Sequence, residues 1–143
     1  MQPGQLHVAH VPTVITTILG SCVSVCMWDI RAGIGGMNHF MLPQFAGSGL
    51  KSARFGNIAM QELVDKMIAA GARQAFLRAR VFGGSCMFEQ MKSSMHLGQK
   101  NIDLAIDFLS LRGIDIAQTD VGGDRGRKLR FNTDNGDVWL NLI

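Results

Sequence analysis

The chain has 143 residues, a length suited to one domain with one core, and is taken as a single domain over residues 1–143. Hydrophobic residues make up 47% and charged residues 17%, which excludes a disordered chain. Fourteen Lys+Arg against eleven Asp+Glu leave a net charge of +3, too weakly basic to argue for a nucleic-acid partner. The three cysteines, Cys22, Cys26 and Cys86, form no CxxC, so neither a disulfide framework nor a zinc ribbon is expected. Free thiols suit a reducing cytoplasm. No apolar run is long enough to span a bilayer, and the N-terminus has no signal-peptide pattern, so membrane insertion is not expected.

Leu6, Val8, Val14 and Ile15 are strand-type residues, with Pro12 as a break between them. VSVCMWD (23–29) and IGGMNHFML (34–42), joined by IRAG, read as an antiparallel hairpin that ends before Pro43. After a small-residue linker, Met60, Leu63, Val64, Met67 and Ile68 recur at helical spacing, and Gly71 is placed as the C-terminal cap. Alternation from Ala75 to Val81 predicts a strand that ends at Gly83-Gly84. A second helix is predicted from about Asn101 to Arg112, with a narrow polar stripe of Asp103, Asp107 and Ser110. IDIAQTDV returns as a strand, and Asn135-Gly136 marks a final hairpin. The order gives an α+β domain with mixed sheets.

HExxH, Walker A and GxSxG patterns are missing. GGDRGRK (122–128) lacks the spacing of a phosphate cradle and reads as a glycine turn followed by a basic strand. Cys22, which follows Gly20-Ser21 and opens a strand, has the setting of a nucleophile whose neighbouring amides can face an oxyanion. The same cysteine also fits a small core residue among valines. A hairpin turn centred near Ile30-Arg31 places His39 directly opposite Cys22, with Cβ atoms about 5 Å apart. Cys86, with His96 ten residues on, is the rival nucleophile. Cys26 reads as packing and His7 and His10 as surface residues. A metal site from Cys22, Cys26 and His39 is disfavoured, because one strand end cannot easily aim both thiols at one ion. No cofactor is expected.

The strings TTILGSCVSVCMWD, GGMNHFMLP, RFGNIAM, GGSCMF and DVGGDRGRKLRF, in this order over nearly the whole chain, resemble the chemoreceptor glutamine deamidases (CheD) of bacterial chemotaxis. Phe55 stands where that family commonly has tyrosine. The resemblance implies a layered β/β/α sandwich with mixed, largely antiparallel sheets and two main helices on one side. It implies Cys22 as nucleophile, His39 as base and Thr16, six residues before the cysteine, as third member of a triad, with neighbouring Thr17 as the alternative by one place. Gly20, Ser21 and Asn38 are weaker candidates for oxyanion or substrate contacts. The implied partners are the cytoplasmic helical tails of methyl-accepting chemotaxis receptors, which Arg125, Arg127, Lys128 and Arg130 could hold. The implied alternative task is binding a CheC-type phosphatase without catalysis.

Overall fold

A computed structural model describes the chain except residues 46, 48 and 87–91, with no side-chain description for 92–96. Among the described residues, eight strands and two α-helices run in the order β1 (Leu6–Ala9), β2 (Val14–Leu19), β3 (Val23–Asp29), β4 (Ile34–Asn38), α1 (Gly56–Ala69), β5 (Arg78–Gly83), α2 (Lys92–Leu111), β6 (Asp115–Val121), β7 (Arg127–Asn132) and β8 (Val138–Leu142). They form a five-stranded sheet, β1-β4-β3-β5-β6, and a three-stranded sheet, β2-β7-β8. Among the described strands β5 and β6 pair in parallel and the others antiparallel, and α2 is the crossover between β5 and β6. None of the described helices is long and apolar enough to cross a membrane.

All seven residues of β3 are buried, because the large sheet is covered on both faces. Val23, Val25 and Met27 pack with Ala59, Leu63 and Met67 of α1 and with Ile102, Ala105 and Leu109 of α2. The alternate residues Cys26 and Trp28 meet Ile15, Leu19, Leu129 and Phe131 of the small sheet. The layers are therefore small sheet, large sheet, helices: the α+β sandwich expected from the family resemblance. Gly136 sits in the β7–β8 loop at φ +81°, where a Cβ would lie 2.3 Å from the Trp28 ring. The Asn-Gly signal thus serves both the turn and a close approach to the large sheet.

Three boundaries and one register differ from the sequence-based expectation. Gln74–Phe76 forms a 3-10 turn, so β5 begins at Arg78 rather than near Ala75. The second helix starts at Lys92, nine residues before the predicted Asn101, because its Ser- and Met-rich first turns carry a weaker periodic pattern. His39 and Phe40 lie beyond β4, which ends at Asn38. In the β3–β4 hairpin, Asp29 Oδ1 accepts the N–H groups of Arg31 and Ala32, and this side-chain turn fixes a loop over residues 30–33. The ladder then pairs Cys26 with Met37 and Val23 with Phe40. Extended by one step, it sets Met41, not His39, across from Cys22. The loop centre lies one residue later than expected, which slides the register by two and so preserves the face.

Candidate active site

β2 belongs to the small sheet and β3 to the large one, so the chain must change layers between Leu19 and Val23. Gly20 and Ser21 make that turn, and Cys22 stands at its end. The turn is tied to the segment after β5, which carries the second GSC: Ser85 N donates to Gly20 O at 3.0 Å and Gly84 N to Cys22 O at 2.8 Å. A Cβ on Gly83 would lie 2.2 Å from Cys22 O, so only glycine allows this approach. No carbonyl or side-chain acceptor among the described residues takes the Ser21 or Cys22 amide. Cys22 is half-buried. Burial pushes its thiol pKa up, while its own backbone N–H, directed at the sulfur, opposes the shift.

Odd-numbered residues of the β4 segment face the small sheet: Gly35 meets Thr133, and Met37 belongs to the inter-sheet core. His39 continues that face and is 3% exposed. Its Nδ1 lies 2.8 Å from Thr17 Oγ1, on the inward side of β2. The Thr17 hydroxyl donates to Met1 O at 2.8 Å, so at His39 it acts as acceptor. This arrangement assigns the proton to Nδ1. Nε2 then carries the lone pair, and it has no hydrogen-bond partner among the described residues. Burial, and second the Met1 ammonium charge, lower the His39 pKa to about 4. At neutral pH both partners are therefore uncharged, which suits proton transfer during attack rather than a resting thiolate–imidazolium pair.

Cys22, His39 and Thr17 line one groove of about 640 Å³ with Met1–Pro3, Thr16, Ile18 and Lys128. Three other grooves of similar size among the described residues contain no cysteine, and one of them shares Met1 and Thr16 with this one. The hydroxyl on the imidazole is that of Thr17, not Thr16. Alternation along β2 turns Ile15, Thr17 and Leu19 inward and leaves Thr16 half-buried on the opposite side, its carbonyl accepting the Met1 amine. Counting six residues back from Cys22 cannot detect that parity.

Asn38 also departs from its expected place. Facing the helices, it accepts Val25 N–H through Oδ1 at 2.9 Å, and its Nδ2 reaches Met60 Sδ at 3.4 Å. It braces β3 and does not face the groove. Cys26 is fully buried, its Sγ 3.5 Å from Met37 Sδ. Cys86 is half-buried with its amide on Gly123 O, and the side chain of His96 lies outside the described residues. His7, on β1, and His10 are both exposed.

The four basic residues separate. Arg127 is buried and holds Asp120 Oδ1 at 2.9 Å and Gly122 O at 2.9 Å, so its charge is used internally. Lys128 lines the groove, Arg125 is exposed, and Arg130 lies 5.1 Å over the Trp139 ring on the outer face of the small sheet. Asn101 was not expected near the site. It is wholly buried on α2, in line with Ala105 and Leu109, and a polar residue on that apolar stripe was the signal available.

The chain is similar to known proteins over its full length. A family profile described as CheD chemotactic sensory transduction matches residues 41–142. The "Probable chemoreceptor glutamine deamidase CheD 1" of Anaeromyxobacter dehalogenans (strain 2CP-C) is 46% identical over 143 residues, covering 100% of this chain and 83% of the relative. A protein named probable chemoreceptor glutamine deamidase CheD from Trichlorobacter lovleyi is 46% identical over 138 residues, covering 96% of this chain and 86% of the relative. One of the same name from Sulfurimonas denitrificans is 41% identical over 140 residues, covering 97% and 90%. The profile match starts after Cys22 and His39, whereas the alignment that covers the whole chain includes them.

Proposed function

This chain belongs to the CheD family, and we propose that it deamidates glutamine side chains of chemoreceptors through a thioester on Cys22. The observation that carries this reading is the Thr17–His39 hydrogen bond, which leaves the lone pair on Nε2, buried and not bonded to the thiol in this structure, beside the groove that His39 and Cys22 both line. As Sγ bonds to the glutamine Cδ, the thiol proton passes to Nε2 and the amide oxygen takes the negative charge. The Ser21 and Cys22 amides, which no acceptor among the described residues takes, receive that charge in this reading. Collapse breaks the C–N bond, and the imidazolium proton leaves with ammonia. Water then attacks the thioester, giving a proton to Nε2. When the C–S bond breaks, that proton returns to sulfur and the product is glutamate.

Thr17 acts as the orienting third group. A neutral hydroxyl fixes the tautomer, but stabilises the imidazolium less than a carboxylate would. Ile18 and Val14, each 58% exposed, share the outer face of the small sheet with Lys128, Arg130 and Trp139. An open apolar and basic face beside the groove suits a polypeptide substrate with acidic residues around its glutamine. The working compartment is then the cytoplasm, where receptor tails lie. Binding of a CheC-type phosphatase is a separate task that does not need the thiol.

Incubation of a receptor cytoplasmic fragment with wild-type and Cys22→Ala protein tests the reading. Ammonia release and the amide-to-acid mass gain at discrete glutamines are expected with the wild type alone. Equal conversion by Cys22→Ala would overturn it.

A further inference from the structure

The β3–β4 ladder ends at the Val23–Phe40 pair, bonded both ways at 3.0 Å, which leaves His39 inside the ladder and Cys22 one residue past its end. Beyond it the two chains separate: Ser21 and Cys22 turn toward the small sheet, and Met41 and Leu42 bond to Arg54 O. The β3–β4 hydrogen bonds therefore reach the residues next to Cys22 and His39 but do not include Cys22 itself, which lies past the last of them.

Asn101 supplies a second tie beyond that end. Its Nδ2 donates to Ser21 O at 3.2 Å and to Met41 O at 3.1 Å. Only the amide nitrogen can donate to two carbonyls, so the side-chain orientation is fixed by its partners. One carbonyl precedes Cys22 and the other follows His39 by two residues. The support beneath Asn101 is rigid. A Cβ on Gly98 would lie 2.5 Å from Gly84 O, and Ile102 packs against Gly84, so α2 is seated on the segment that also holds the Gly20 and Cys22 carbonyls. Asn101 Oδ1 is buried without a hydrogen-bond partner among the described residues. A residue kept only for packing would avoid that cost, whereas one kept for its two N–H groups must accept it.

We infer that Asn101 is a positioning residue that sets the separation of the Cys22 thiol from the His39 imidazole by bridging Ser21 O and Met41 O. This deepens the deamidase reading and rests on it. It predicts that losing the bridge lowers the chemical step without weakening substrate binding.

The test uses Asn101→Leu, close in size but unable to donate, and Asn101→Asp, which keeps the shape. Two readouts are taken: steady-state deamidation, and the rate of Cys22 alkylation by iodoacetamide, followed at the Cys22 peptide by mass spectrometry. About a tenfold or greater fall in kcat with unchanged KM is expected for both variants at pH 8. Alkylation should slow in Asn101→Leu by about as much as in His39→Ala, and the double variant should slow little further, as coupled residues do. As pH falls toward 6, Asn101→Asp should regain activity relative to wild type, since a protonated acid restores one donor.

Wild-type alkylation and kcat in both variants, or a purely multiplicative double variant, would overturn the inference. If Asn101→Leu does not fold, the relative pH profile of Asn101→Asp decides alone, and a ratio to wild type that does not rise toward pH 6 counts against the bridge. Absence of deamidation by the wild-type protein would defeat the functional reading, while the alkylation series would still report on the tie.

Discussion

Replacing Thr17 by valine removes one hydroxyl and keeps the branched shape that fills the inter-sheet space. The 3% exposed Thr17 contacts His39 Nδ1 and Met1 O and lies at the inner wall of the groove. Without its acceptor, the buried Nδ1–H is unsatisfied, which costs about 1–3 kcal/mol. The ring responds by favouring the other tautomer, with the proton on Nε2, the atom required as base. At about 1.4 kcal/mol per factor of ten, kcat should fall roughly 5- to 150-fold. KM should stay near the wild-type value, because Thr17 is covered by His39 and Met1. Ammonia release from a receptor fragment under saturating and limiting substrate measures both constants. Thr16→Val is the control: its side chain points away from His39, so kcat should be preserved. Full activity in Thr17→Val together with loss in Thr16→Val would refute the assignment of the hydroxyl.

Three further outcomes follow from neighbouring residues. Asn38→Ala strands the Val25 N–H inside the large sheet, so urea denaturation should show a loss of about 1–3 kcal/mol while kcat per folded molecule is kept; a selective loss of kcat would return Asn38 to the groove. Because folding lowers the His39 pKa to about 4 from its ordinary 6.5, the unfolded chain binds the extra proton, and stability present above pH 6.5 should drain away as pH falls toward 4. Urea midpoints across that window should decline less in His39→Gln than in the wild type, and parallel declines would contradict the burial argument. Asp120→Asn removes the carboxylate from buried Arg127, whose remaining described partners are backbone carbonyls, and should lower stability by about 1–3 kcal/mol with no salt-dependent change in KM. A salt-dependent KM would instead place Arg127 at the substrate.

Much of the architecture was legible because it is written in local periodicity. Leu63, Val64 and Met67 announce α1, and the VSVCMWD run announces β3 as one strand of a hairpin. The 3-10 turn at Gln74–Phe76 was hidden, since Ala75 and Leu77 fit an alternating pattern that short runs cannot distinguish from a turn. Among the candidate site residues, Cys22 and His39 stood out through LGSC and NHF, and the error of two in register left them on one face. Arg127 looked like a free surface cation because its partners, Asp120 and Gly83 O, come from another strand and from a residue 44 positions away.

Residue order alone thus marked the thiol, the imidazole, the helices and the strand alternation, each a property of a few consecutive side chains. The folded chain chose Thr17 over Thr16, turned Asn38 toward the helices and brought Asn101 from α2 against Ser21 and Met41. Those choices arise between segments up to 80 residues apart, where sheet pairing and layer packing, not local preference, decide which polar atoms meet.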